Sequence, residues 1–184
     1  MSGPRILIDA CVLYPTVMRE VVLGVARAGL FEPLWSARLL EEWARAAIKL
    51  GPEGEAQARA EIALLRRDWP AAERPAAPGV AARLWLPDEN DIHVLAVAVD
   101  TGADLIMTMN AKDFPRGILA EEELDRIDPD TFLMQLWPAQ EPVIRDVADE
   151  VLETARKMSG KDWQHRSLFR KARLPRLGKA LDLH

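Results

Sequence analysis

The chain alternates short runs of branched apolar residues with longer amphipathic stretches, a pattern that predicts strands separated by helices. Residues 5–9, "RILID", lack the alternation of a half-exposed strand, which predicts burial on both faces. "ACVLYP" then turns the chain, with Pro15 suited to the position just before a helix. The spacing predicts a helix from Thr16 to Ala28, stopped by Gly29. "FEPLW" reads as a second strand, and Ser36 as the N-cap of a helix reaching Leu50. Gly51-Pro52 breaks that helix, and another follows from Gly54 to Asp68.

Residues 70–79, with three prolines, read as a loop. "ARLWL" is expected to be extended, and Asp88 to cap a helix running to Thr101. "DLIMTM" (104–109) is the clearest later strand, and "GIL" (117–119) is expected to be one more. Pro129 opens a helix through Leu136; further helices are expected over 139–158, 161–172 and 175–182. The alternation implies an α/β fold, with a mostly parallel sheet covered by helices on both faces. No strand is expected past 137, so the chain divides into an α/β domain (1–136) and an all-helical C-terminal extension (137–184).

A hydrophobic content of 49% with 29% charged residues describes a globular chain and not a disordered one. No apolar run approaches the ~18 residues of a membrane span. "MSGPRILID" leads directly into a strand, leaving no room for a secretory leader. Cys11 is the single cysteine, which excludes an internal disulfide framework and fits a cytoplasmic location.

The net charge of −5 is unevenly spread. Between 161 and 184, Lys161, Arg166, Arg170, Lys171, Arg173, Arg176 and Lys179 face only Asp162 and Asp182. That segment is thus about +5 and the rest about −10, an asymmetry compatible with a polyanionic ligand. This basic tail is expected to be either an RNA-binding surface or the dock of a protein partner, unless its charges are solvated faces of helices packed through Leu174, Leu177 and Leu181.

Four acidic stations stand at the edges of apolar segments: Asp9, Glu42, Asp91, and the pair Asn110 and Asp113. In an open α/β sheet, ligands gather beyond the carboxyl ends of the strands, where Asp9 and the Asn110–Asp113 loop fall. At ~100° per residue, Glu42 lies on the shoulder of a face made by Leu39, Leu40, Trp43, Ala46 and Ala47, while Glu41 points away. Pairing of Glu42 with Arg38 or Arg45 is the structural alternative. Asp91 shares a helix face with Leu95 and Ala98, although Asp88 and Asp91 could equally be capping residues. Thr108 and Asn110 offer neutral oxygens to a metal or phosphate, and Lys112 a cation. Gathered carboxylates suit Mg²⁺ or Mn²⁺, and their mutual repulsion predicts at least one raised pKa in the metal-free chain. His93 and His165 read as core or surface residues, and Cys11 as a small core residue. Trp35, Trp43, Trp85 and Trp137 are expected to fill the core and domain junctions.

Taken together, "ILIDACVLYP", "SARLLEEWAR", "LPDENDIHVLAVAVDTGADLIMTMNAKDFP" and "DPDTFL" resemble the PIN-domain ribonucleases, in particular the VapC-like toxins of bacterial toxin–antitoxin pairs, over residues 5–136. The resemblance implies a PIN-like three-layer α/β/α fold and a Mg²⁺- or Mn²⁺-dependent endoribonuclease. It implies Asp9, Glu42 and Asp91 as the acidic core, and RNA, a cognate antitoxin and a second copy of the chain as partners. The fourth acid of the family falls at Asn110, with Asp113 the nearest carboxylate, so either can complete the metal shell. Thr108, Asn110 and Lys112 are the candidate substrate contacts. Two other classes compete: another Mg²⁺ phosphohydrolase, which would need an acid where Cys11 stands, and a non-catalytic PIN-like binding module.

Overall fold

The computed structural model describes residues 3–183. Met1 and Ser2, part of the segment read as leaving no room for a secretory leader, and His184, in the basic tail, lie outside the described residues. In chain order the elements begin with β1 (Arg5–Ile8), α1 (Ala10–Leu13), α2 (Thr16–Arg27), β2 (Glu32–Ser36) and α3 (Ala37–Ala46). There follow α4 (Pro52–Asp68), β3 (Glu73–Arg74), α5 (Pro78–Ala81), α6 (Ile92–Thr101) and β4 (Leu105–Met107). The chain closes with α7 (Arg116–Glu121), β5 (Asp125–Ile127), α8 (Pro129–Ser159), α9 (His165–Lys171) and α10 (Pro175–Asp182). Short 3₁₀ turns cover Ala47–Leu50, Glu89–Asp91 and Ala111–Asp113.

The five strands form one sheet in the order β3-β2-β1-β4-β5, and every pair is parallel. The α/β class expected from the sequence is therefore the observed one. Ile6, Leu7 and Ile8 of the central strand are fully buried, as their unbroken apolar run requires. A parallel sheet with one hand of crossover brings all strand carboxyl ends to one edge, and β1 and β4 are neighbours there.

The chain divides into two compact units. The first runs through Tyr14 and resumes over Phe31–Ile127; it holds the sheet. In it α6 packs against β1 and β4, and α3 against β2. The second combines Pro15–Leu30 with the chain from Asp128 onward, so α2 belongs with α8, α9 and α10. Gly24 of α2 lets α8 approach closely, because a Cβ there would sit 2.4 Å from Val147 Cγ1. The buried Asp130 carboxylate accepts from the backbone N–H groups of Arg176 and Leu177, both at 3.0 Å, and so caps the start of α10.

Several local expectations need correction. "ACVLYP" is not a plain turn but contains a helical turn, α1, because Asp9 accepts from Ala10 N at 2.8 Å and starts it. The proline-rich 70–79 loop contributes the edge strand β3 and the start of α5, as Trp35 N donates to Ala72 O and draws the segment into the sheet. "ARLWL" forms no strand: Leu86 is buried while Trp85 is 65% exposed, so Trp85 fills no core. "GIL" lies in α7, opened by Pro115 as its N-cap, and the strand that follows is β5, whose polar "DRI" gives no apolar run. The two helices expected over 129–158 run end to end as α8, separated by a kink at Gln140, whose φ and ψ are non-helical, where Pro142 lacks the N–H that would continue the ladder.

Candidate active site

Asp9 follows β1 directly and is buried. Its backbone N–H donates to Met107 O at 3.0 Å, extending the pairing with β4 by one residue. Its carboxylate is held from three sides. Ala10 N reaches Oδ1 at 2.8 Å, while Thr108 Oγ1 at 2.8 Å and Cys11 Sγ at 3.4 Å both donate to Oδ2. Thr108 Oγ1 in turn accepts from Asn110 N at 3.0 Å, and Met109 N donates to Cys11 Sγ at 3.4 Å. These bonds tie the ends of β1 and β4 to one carboxylate. Burial pushes the Asp9 carboxyl up, an effect opposed by the hydrogen bonds from Thr108, Cys11 and Ala10.

Cys11, read from sequence as a core residue, is only partly buried. Burial, with the Asp9 charge beside it, pushes its thiol up to about 12, so it stays an S–H donor and is no nucleophile near neutral pH.

Asp91 is the N-cap residue of α6 yet makes no side-chain cap hydrogen bond; Asp88 supplies one, to Asn90 N at 2.9 Å. The capping account therefore holds for Asp88 and not for Asp91. The Asp91 carboxyl is raised to about 6, first by burial, then by the charges of Asp9, Asp113, Asp88 and Glu42. This shift is the electrical signature of a gathered acidic group. Four chain segments contribute to it: the end of β1, α3, the Asp88–Asp91 turn and the Ala111–Asp113 turn.

Glu42, on α3, faces two partners. Arg38 Nε is 3.6 Å from Oε1, the pairing anticipated as an alternative. His93 Nε2 is 2.7 Å from the same oxygen, but off the direction of a hydrogen bond, and neither ring nitrogen of this mostly buried histidine has a hydrogen-bond partner among the described residues. The sequence reading took His93 for a core or surface residue; its place two residues after Asp91 was the available signal for a site role. Glu41, expected to reach only water, is gripped by Arg59 with two 2.9 Å hydrogen bonds, which pull it down to about 2.

Asn110 is exposed, and Lys112 is exposed on the 3₁₀ turn Ala111–Asp113. Neither side chain makes a hydrogen bond among the described residues. Beside Glu42 lies an open depression of about 780 Å³, bounded by Arg38, Glu41, Arg45, Arg66 and Asn90. The arginines here carry no motif that the sequence could have shown.

A model of the PIN domain matches residues 5–112. The chain belongs to the PIN-domain family. PIN domains are generally nucleases and typically bind divalent metals. The match takes in Asp9, Glu42, Asp91 and Asn110 and ends one residue before Asp113. No curated protein and no solved structure gave a match.

Whether this PIN domain's residues fit a metal can be judged from the donors. Asp9, Glu42, Asp91 and Asp113 offer hard oxygen, and no cation is ion-paired to Asp9, Asp91 or Asp113 among the described residues, so a divalent cation would find uncompensated carboxylates there. As the side chains stand, no three His, Cys, Asp or Glu among the described residues are close enough to hold one. Donor chemistry thus fits, while Glu42 is engaged by Arg38 and His93.

Proposed function

We propose that the protein is a Mg²⁺- or Mn²⁺-dependent endoribonuclease, the VapC-like toxin of a type II toxin–antitoxin pair acting in the cytoplasm. The observation that carries this reading is the convergence of charge on Asp91, whose carboxyl is raised to about 6 by burial and four neighbouring acids. Asp9, Glu42 and Asp91 would hold the ion, with Asp113 or Asn110 completing its surroundings. A bound divalent ion supplies Lewis-acid charge neutralisation at phosphorus and lowers the pKa of water.

The chain's own residues do the rest. Thr108 and Cys11 fix Asp9 Oδ2, so this carboxylate needs no reorganisation during the reaction. Asn110 and Lys112, both exposed, would bind and orient RNA phosphate. Arg38, Arg45 and Arg66 line the depression beside Glu42, each already ion-paired with an acid. With water and not the ribose 2′-OH as nucleophile, the products carry 5′-phosphate and 3′-hydroxyl ends.

Purified protein, freed of any bound partner, should cut cellular RNA at discrete sites with Mg²⁺ or Mn²⁺, and EDTA or Asp9→Ala should abolish the cuts. A second reading, a non-catalytic PIN module, draws on the spread of the acids, of which no three stand at metal-binding distance among the described residues. Absence of cleavage together with absence of Mn²⁺ binding in calorimetry would decide for it.

A further inference from the structure

Six arginines of the first unit, Arg38, Arg45, Arg59, Arg66, Arg67 and Arg83, are each ion-paired with an acid. The seven Lys and Arg residues between 161 and 179 differ, for none of them is ion-paired among the described residues. Neighbouring acids are engaged elsewhere: Asp162 lies beside Arg156 at 3.9 Å, Asp149 pairs with His165 at 2.6 Å, and the Asp130 carboxylate holds the backbone N–H groups of Arg176 and Leu177. Like charges left unpaired repel one another, and a surface that keeps them suits a polyanion.

The local structure makes this cluster a defined face. α9 buries Leu168 and Phe169 and so turns Arg166 and Arg170, one helical turn apart, to solvent. α10 lies tightly on α9 at Gly178, where a Cβ would come within 3.3 Å of the Arg166 backbone and of Phe169 Cβ. The cations of both helices thus share one rigid hairpin. Trp163, half-buried, draws in two more: Lys161 Nζ and Lys171 Nζ lie 5.7 and 5.2 Å from its ring centre. Arg156 Nε donates to Trp163 O at 2.8 Å and anchors the indole's backbone to α8.

We infer that α9, α10 and the Lys161–Trp163 segment form an RNA-binding face that grips the phosphate backbone without reading sequence. RNA, as opposed to another polyanion, rests on the ribonuclease reading; the site itself uses none of the candidate catalytic residues. Phosphate contacts release counter-ions, so affinity must fall steeply with salt.

The test is fluorescence anisotropy of a labelled 20-nucleotide RNA with the full chain, in EDTA to prevent cleavage, at several salt concentrations. For about five phosphate contacts to a single strand, log K against log salt should slope at roughly −3 to −4. Combined Arg166→Glu, Arg170→Glu and Lys171→Glu should weaken binding at least tenfold and flatten that slope. Lys161→Gln with Lys171→Gln, a milder change that leaves the α9–α10 packing intact, should weaken it several-fold and alter Trp163 fluorescence on RNA addition. Unchanged RNA affinity in both variants would overturn the proposal, as would stronger binding of polyglutamate than of RNA, which would assign the face to an acidic protein. Cleavage of a six-nucleotide substrate with Mn²⁺, run in parallel, should be the same in these variants as in the parent. Loss of cleavage by the parent with RNA binding intact would remove the nuclease reading and leave this face standing.

Discussion

Thr108 Oγ1 donates a 2.8 Å hydrogen bond to Asp9 Oδ2, joining residues 99 positions apart at the carboxyl ends of two adjacent parallel strands. A buried carboxylate deprived of a donor bears the full cost of its desolvation, about 1–3 kcal/mol and more where the group is charged. Thr108→Val keeps the shape and removes the donor. It should lower stability at pH 7 by about 2 kcal/mol in urea unfolding, and Thr108→Ser should restore most of it. Equal stability of the valine variant would show that Asp9 does not depend on this bond.

The raised Asp91 carboxyl sets a pH dependence with a definite sign. Its folded-state pKa, about 6, lies above the ordinary aspartate value of 3.8, so the folded chain binds the proton more tightly than the unfolded one. That contribution is complete below about pH 4 and is lost as pH rises through 6. Asp9, also raised, acts in the same direction. In EDTA the melting temperature should therefore carry a falling component between pH 4 and 7. Added Mn²⁺ should raise it strongly at pH 7 and little at pH 5, where Asp91 is protonated. An equal Mn²⁺ shift at both values would place binding elsewhere.

Much of this was legible in the residues. The unbroken apolar "ILI" and "LIM" runs announced β1 and β4, and each ends at polar residues of the candidate site. Glu42 was separable from Glu41 by helix angle alone, because α3 is strongly amphipathic with Ser36 as its N-cap. What escaped had no local signal. β3 and β5 are short and polar, "ER" and "DRI", and are strands only because a neighbouring strand pairs with them. The grouping of α2 with α8 rests on the Gly24 contact with Val147, residues remote in sequence. The contact of His93 with Glu42 joins α6 to α3 and appears only once both are folded.

That contact separates stability from function. Both ring nitrogens of His93 are buried without a hydrogen-bond partner among the described residues, a state that costs stability. Yet Nε2 stands 2.7 Å from the Glu42 carboxylate and limits where it can turn. His93→Phe fills the same space without the polar atoms. It should leave stability unchanged or raise it by about 1 kcal/mol, while Mn²⁺ affinity and RNA cleavage change by several-fold. A variant destabilised by more than about 2 kcal/mol, with unchanged Mn²⁺ affinity, would make His93 purely structural.

The two candidates for the fourth position differ in what Asp91 feels. Asp113 contributes to raising the Asp91 carboxyl, so its charge reaches the acidic group. Asn110 is neutral, and its recorded bond into the site is its backbone N–H to Thr108 Oγ1, which any residue but proline supplies. Asp113→Asn should therefore weaken Mn²⁺ binding at least tenfold and lower the Asp91 pKa, measured by NMR titration in the metal-free chain. Asn110→Ala should change Mn²⁺ binding less than threefold and leave that pKa in place. Should Asn110→Ala abolish Mn²⁺ binding while Asp113→Asn is silent, the amide oxygen would be the ligand. Asp113 would then only brace the 3₁₀ turn, through its backbone N–H to Asn110 O at 3.0 Å.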